Sequence, residues 1–264
     1  MPSLGMGTYP LNGFRLALLI RHAVKAGYRS FDTASAYHNE QWLGRGVRIC
    51  GKPRVDLFIT TKLSNAAQRR GDIRAAFDKS RALLGMEYVD LYLIHWPVPD
   101  LYVSSWKQME LLHKDGLARS IGVCNCHRHH LELLLKSAQV IPAVNQVELH
   151  PLLCQSELTN FCREIGVCVE AYSPLARMDA RLVNNPLLMS VARAHSMTVP
   201  QVVLTWDLQQ GFVPIPRSSN RKRLKENLAS CDFRLSGEEM DLISSLDANV
   251  RVRHDPDNCD FSKL

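Results

Sequence analysis

The sequence predicts an α/β fold, a single-domain (β/α)8 (TIM) barrel over residues 1–264, on three observations. Short β-branched runs alternate with amphipathic helical patterns from end to end, as a parallel sheet with helical crossovers requires. Successive run ends lie about 24 to 44 residues apart, each gap long enough for a loop, a helix and a return loop. The apolar runs also end repeatedly in polar residues, as strands converging on one mouth do. The alternative is a doubly wound sheet, which calls for a Gly-rich turn after its first strand. Gly5-Met6-Gly7 has no third glycine at the required spacing and leads into Tyr9-Pro10.

In chain order, the predicted strands are 4–8, 29–32, 57–62, 89–95, 120–123, 143–147, 167–172 and 212–215. Helical patterns fill the gaps. After Gly71, the residues Ile73, Ala76, Phe77, Leu83 and Leu84 follow helical spacing, with Gly71 or Asp72 at the start. Ser236-Gly237-Glu238-Glu239 reads as a capping box opening one more helix near the C-terminus. No linker or low-complexity segment interrupts the series.

The composition, 46% hydrophobic and 22% charged in 264 residues, is that of an ordinary globular chain. The 32 Lys+Arg against 26 Asp+Glu leave +6, too mild for a nucleic-acid binder unless concentrated in one place. One such place exists, the run of Arg217, Arg221, Lys222, Arg223 and Lys225. No apolar run approaches the ~20 residues of a membrane-spanning helix. Met1-Pro2-Ser3-Leu4-Gly5 has neither the basic nor the apolar region of a secretory signal, which predicts an intracellular address. The eight cysteines are scattered through apolar segments and are expected to be reduced.

The strand ends carry Asp32, Lys62, His95, Asn125, Gln146, Ser173 and Arg217. Asp32 and Lys62, at adjacent strand ends, form an ion pair in this reading, and Tyr37 sits on the loop between them. A phenol with a pKa of about 10 is a poor acid at neutral pH, and an adjacent ammonium is expected to lower it, making Tyr37 a general acid. Singly, each of these groups reads as a structural residue. Four of them, from three consecutive strand ends, read as one site.

These residues lie in longer blocks. Asp32-Thr33-Ala34 with Tyr37 and Asn39-Glu40, Ile59-Thr60-Thr61-Lys62, and Asp90-Leu91-Tyr92-Leu93-Ile94-His95-Trp96-Pro97 come first. Ile121-Gly122-Val123-Cys124-Asn125, Asn145-Gln146-Val147-Glu148, Ala171-Tyr172-Ser173-Pro174-Leu175 and Ile215-Pro216-Arg217-Ser218 follow. Together, from about Gly5 to Asn227, the chain resembles the aldo-keto reductase superfamily. It is similar to the short-loop branch typified by prostaglandin F synthase and 2,5-diketogluconate reductase.

The resemblance implies a barrel that binds NADPH across its mouth without a Rossmann fold and reduces an aldehyde or ketone. By motif position Tyr37 donates the proton, Lys62 activates it, Asp32 partners Lys62, and His95 orients the substrate carbonyl. Asn125 and Gln146 hold the nicotinamide carboxamide, and Tyr172 stacks on the ring. Ser173 and Leu175 of the same block join the cofactor set. Arg217, Ser218 and Arg223 contact the 2′-phosphate, with Glu226 and Asn227 near the adenine, which accounts for the basic run. Tyr9 and Trp96, with His95, face the substrate. A nucleotide-binding barrel without turnover and a metal-assisted hydrolase are the alternatives.

The sequence departs from the family in places. Cys124 stands where Ser is usual, and a thiol is the weaker hydrogen-bond donor, which weakens a carboxamide contact there. Arg217 replaces a commoner Lys. Family members generally begin with a β-hairpin that plugs the barrel floor. Here the sequence starts at the following segment, so the expectation is a barrel without that plug, or an upstream start, with apolar floor residues uncovered. Cys124, Cys126, His127, His129 and His130 do not match metal-binding C-x2-C spacing, and no metal is expected. The expected partner is a small carbonyl substrate of a monomeric enzyme, with no nucleic acid or membrane. The chain ends Ser262-Lys263-Leu264, the tripeptide read by peroxisomal import receptors. That predicts a peroxisomal or glycosomal address, with the cytoplasm as alternative. Asp255-Pro256-Asp257-Asn258, polar and turn-forming, is expected to leave the tail exposed.

Overall fold

In the computed structural model, which describes residues 1–263, eight parallel strands follow one another in chain order. They are β1 (Met6–Gly7), β2 (Ser30–Asp32), β3 (Phe58–Leu63), β4 (Val89–Ile94), β5 (Ala118–Cys124), β6 (Val144–Glu148), β7 (Cys168–Tyr172) and β8 (Val213–Pro214). The eight predicted strands are all present, shifted by one or two residues at their ends. The ring closes through Gly5 N–H to Pro214 O at 3.0 Å and Gly7 N–H to Pro216 O at 3.2 Å. Gly7 is required there, because a Cβ would stand 2.9 Å from Ile215 O.

Helices separate the strands. α1 (Gly13–Ala26) follows β1, α2 (Glu40–Arg48) follows β2, and α3 (Asn65–Arg70) and α4 (Ile73–Leu84) follow β3. Next come α5 (Tyr102–Lys114), α6 (Arg128–Leu135) and α7 (Ser156–Glu164), one after each of the next three strands. Three helices, α8 (Ala180–Val183), α9 (Pro186–Ala194) and α10 (Val199–Gln209), lie between β7 and β8, which accounts for the longest spacing in the sequence. α11 (Arg221–Ala229) and α12 (Gly237–Ser244) complete the set. Asp72 caps α4 by accepting from Ala75 N–H, and Ser236 and Glu239 form the predicted capping box.

Strand periodicity decides what faces the barrel axis. On β4, Leu91 and Leu93 join Cys124 and Val144 in an interior cluster, whereas Tyr92 and Ile94 pack outward against the helices. The same alternation sends Phe58 inward and Ile59 outward on β3, and Cys168 inward and Val169 outward on β7. Every second residue along a strand shares a face, so Lys62, Gln146 and Glu170 are aimed at the axis.

At the floor, a cavity of about 390 Å³ is lined by Met1, Pro2, Val55, Phe58, Asp90 and Arg119, among others. Val55 is 68% exposed there. All eight cysteines are free. Among the described residues no helix is long and apolar enough to cross a membrane.

The C-terminal segment departs from expectation. Asp255 to Asn258 do form a turn, closed by Asn258 N–H to Asp255 O at 3.1 Å, but the tail around it is packed onto the barrel. Val252 N–H and Arg253 N–H donate to Glu148 at 2.7 and 3.0 Å, and the Phe261 ring lies 6.4 Å from that of Trp96. Glu148, the last inward residue of β6, carries a charge whose lone pairs need donors, and these backbone amides supply them. Lys263 is exposed, and Leu264 lies outside the described residues.

Candidate active site

Asp32 and Lys62 face each other inside the upper barrel, each carboxylate oxygen 2.6 Å from Lys62 Nζ. Thr33 O accepts a third bond from Nζ at 2.9 Å, so the ammonium, fully buried, has all three protons placed. Burial alone would lower the Lys62 pKa. Asp32 and Tyr37 more than reverse that and hold Lys62 charged.

Tyr37 lies on a 3₁₀ turn (Ser35–Tyr37) just beyond β2. Ser35 Oγ anchors the turn to Lys62 O at 2.9 Å, and Asn39 pins its far side through Thr33, Thr8 and Leu11. The ring is therefore fixed at the mouth, its centroid 5.1 Å from Lys62 Nζ and its hydroxyl 3.5 Å from His95 Nε2. Tyr9 covers the other side, with ring centroids 5.0 Å apart.

The phenol pKa runs opposite to the sequence expectation. Burial pushes Tyr37 up to about 12, Lys62 pulls it down, and Asp32 pushes it up again by offsetting Lys62. An ammonium already paired with a carboxylate at 2.6 Å acts on a neighbour much as a dipole does. Burial, then Lys62 and Arg253, lower His95 to about 3, so its ring is neutral at pH 7.

Below this pair lies a residue the sequence reading overlooked. Gln146 Nε2 donates to Asp32 Oδ2 at 2.9 Å and to Glu170 Oε2 at 2.5 Å, and Glu170 is completely buried. Burial first, then Asp32, raises the Glu170 pKa from 4.5 to about 8. The sequence signal was present: counting back two residues from the mouth residue Tyr172 gives an inward Glu170. The folded state holds a proton on Glu170 that the unfolded chain releases above about pH 4.5. Its contribution to stability therefore declines as pH rises from about 4.5 to about 8 and is constant beyond. Glu170→Gln is expected to flatten this part of the profile, read as the difference in urea midpoints between the two proteins across that range.

Other predicted residues gather on the same rim. Asn125 is buried, with a positive φ of 59°. Its side chain is held by Tyr172 O–H donating to Oδ1 at 2.7 Å and by its own Nδ2 donating to His95 O at 2.9 Å. Asn tolerates that backbone better than most residues. Ser173, also at positive φ, and the half-buried Leu175 follow Tyr172. Cys124 faces the interior cluster at 1% exposure, and burial raises its thiol pKa, so it sits as a neutral apolar group beneath the mouth. Gln146 is likewise committed through its amide nitrogen to carboxylates inside the barrel. Trp96 is buried, with Gln68 Nε2 donating to its carbonyl at 3.0 Å.

Beyond β8 the chain turns into α11, where Asn220 accepts from Lys222 N–H at 2.8 Å and Arg223 N–H at 3.2 Å. Arg217 and Arg223 are exposed, and Ser218 Oγ bonds Asn220 within the turn. Asn227 is buried on the inner face of α11, and Glu226 pairs with Lys222 at 3.7 Å. A helix N-terminus lined with cations suits an anion.

The C-terminal segment adds residues that strand-end reasoning missed. Arg253 lies 6.0 Å from the Tyr9 ring, and His254 6.4 Å from that of Trp96. No local pattern announces a segment that reaches the mouth only after the barrel has closed.

Comparison with known proteins bears on the family of the chain. The family model described as aldo/keto reductase family matches residues 3–248. A glyoxal reductase of Bacillus subtilis is 46% identical over 262 residues, 99% of this chain and 94% of the relative. A 9,11-endoperoxide prostaglandin H2 reductase of Trypanosoma cruzi is 44% identical over 260 residues, covering 98% and 92%. Among solved structures, a mutant of Gox0644 in complex with NADPH superposes with a TM-score of 0.93 at 38% identity, covering 98% of this chain and 95% of that one. With the family model spanning most of its length and relatives above 40% identity end to end, the chain belongs to the aldo/keto reductase family.

Proposed function

We propose that this protein uses NADPH to reduce small aldehydes or ketones to alcohols, with Tyr37 as the general acid. The observation that carries it is the pair of Tyr37 O–H and neutral His95 Nε2, 3.5 Å apart at the mouth above the buried Lys62–Asp32 pair. The cofactor, when bound, supplies the hydride. His95 holds the carbonyl oxygen with a ring N–H, and Tyr37 delivers its proton to that oxygen. A phenol of pKa about 12 is fully protonated at neutral pH, so the acid is always loaded. The oxygen becomes an alkoxide once hydride arrives, a stronger base than phenolate, so the transfer is downhill. Lys62 then stabilises the phenolate left behind.

The donor set past β8 fits a nucleotide with an extra phosphate. Arg217, Ser218 and Arg223 offer donors at a helix N-terminus, and Arg grips phosphate bidentately. Asn125 would present its amide to the carboxamide beside Tyr172. Glu226 and Asn227, further along the same helix, would contact the adenine. Charge-assisted hydrogen bonds contribute roughly 1.5–3 kcal/mol each. NADPH is therefore expected to bind at least ~10-fold more tightly than NADH, with Arg223→Ala narrowing the gap. Equal Kd values for the two cofactors, by fluorescence titration, would refute the assignment. Loss of NADPH absorbance with glyoxal, chosen after the Bacillus subtilis relative, tests the reaction itself. Binding without turnover on a panel of aldehydes would favour a non-catalytic nucleotide-binding barrel.

We further propose that Ser262-Lys263-Leu264 directs import into peroxisomes or glycosomes. An N-terminal fluorescent fusion is expected to be punctate and to become diffuse when the three residues are deleted. Diffuse signal from the intact fusion would overturn the address.

A further inference from the structure

The first turn of α6 and the C-terminal segment meet in a group of side chains that carbonyl reduction does not use. Asp257 reaches back to three histidines more than 120 residues earlier in the chain. Its carboxylate lies 2.7 Å from His127 Nδ1, 3.2 Å from His129 Nε2 and 3.7 Å from His130 Nε2. One ligand atom from each of the four residues falls within 4.8 Å of the others. In the sequence, the neighbouring Cys124 and Cys126 suggest thiol ligands at an unsuitable spacing. Folding removes both: Cys124 faces the barrel interior, and Cys126 is buried beside Asn145. Three imidazoles and a carboxylate remain, a nitrogen and oxygen set suited to zinc and its neighbours rather than to calcium or magnesium.

We propose that His127, His129, His130 and Asp257 bind a divalent transition ion of the zinc class, which fastens the C-terminal segment to α6. His129 and Asp257 have side chains 61% and 42% exposed, which gives the ion an entry path. A second carboxylate, Asp255, stands 4.0 Å from His127 and offsets the positive charge of Arg251.

The present hydrogen bonds show what binding must rearrange. Arg251 Nη2 donates to His127 Nε2 at 3.0 Å, so the His127 proton sits on Nδ1, facing Asp257. His130 Nδ1 accepts from His127 N–H at 3.1 Å, which places its proton on Nε2, again facing Asp257. Both protons must move to the far nitrogens before the ion can take the near ones. Arg251 has Gln155 at 3.1 Å and Asp255 at 3.8 Å as other partners, and α6 gives up one cap bond. Tetrahedral ligands about 2.0–2.1 Å from zinc stand roughly 3.3 Å apart, so the group must contract. The exposed His129 and the Asp257 turn are the parts that can move. These losses make the ion exchangeable rather than a permanent staple. The tethered segment also carries Arg253 and His254 beside Tyr9 and Trp96, so the ion restrains the edge of the mouth.

The test uses the full chain without a histidine tag, stripped with chelator, then titrated with Zn²⁺ against a chromophoric chelator and with Co²⁺ followed by visible absorption. One saturable equivalent is expected, with the intense Co²⁺ bands of a tetrahedral site. His129→Ala and Asp257→Asn should each weaken Zn²⁺ by about tenfold or more. Zn²⁺ should also slow amide exchange over residues 250–258 in the parent protein and in neither variant. Both substitutions are at exposed side chains, so metal-free turnover should be unchanged, which confirms folded variants. Equal affinity in the parent and both variants, or no saturation up to about 1 mM, would overturn the proposal.

Discussion

Replacing Tyr37 by Phe is expected to lower kcat by about 10²–10⁴-fold while NADPH still binds. The ring is held by the Ser35 and Asn39 contacts and by a tilted contact with the Tyr9 ring, none of which uses the hydroxyl, so Phe keeps the mouth in shape. What disappears is the proton. His95, lowered to about 3, holds no second proton to replace it at pH 7. Steady-state kinetics with a reactive aldehyde and a separate cofactor titration distinguish loss of acid from loss of binding. A variant retaining more than about a tenth of wild-type kcat would exclude Tyr37 as the general acid.

Lys62→Met is expected to reduce both stability and turnover. It removes the ammonium that both Asp32 oxygens approach at 2.6 Å and leaves the buried carboxylate with Gln146 Nε2 as its remaining side-chain donor among the described residues. Breaking a buried pair on one side typically costs about 3–5 kcal/mol, whereas replacing both partners by apolar groups is often neutral. Urea unfolding should therefore show a large loss for Lys62→Met and substantial recovery in Lys62→Met with Asp32→Leu. Turnover should remain low in both, since the phenolate loses its stabilising charge either way. Recovery of activity together with stability in the double variant would show that Lys62 serves the fold alone.

These two outcomes separate kinds of information in the chain. Asp32, Lys62 and His95 were legible because each ends an apolar run, and a parallel barrel sends every such end to one mouth. Tyr37 was legible as the aromatic residue one short turn beyond Asp32. Glu170 was legible only by parity. A lone acid inside an apolar run reads as a solvent-facing position until the strand's inward face is known. The sign of the Tyr37 pKa shift was not legible at all. It depends on the balance between burial and a lysine already matched by Asp32, and that balance is set by distances of a few ångströms.

Periodicity and spacing within a few dozen residues suffice for the barrel, the order of its strands, the residues at their ends and the basic start of α11. Only the folded chain reveals that Gln146 bridges Asp32 to Glu170, that Cys124 faces inward, and that residues 250–261 fold back over the mouth to bring Asp257 to three histidines. Local patterns fix which face of an element is apolar. Contacts between segments a hundred residues apart depend on where the closed ring places each loop, and no local pattern carries that information.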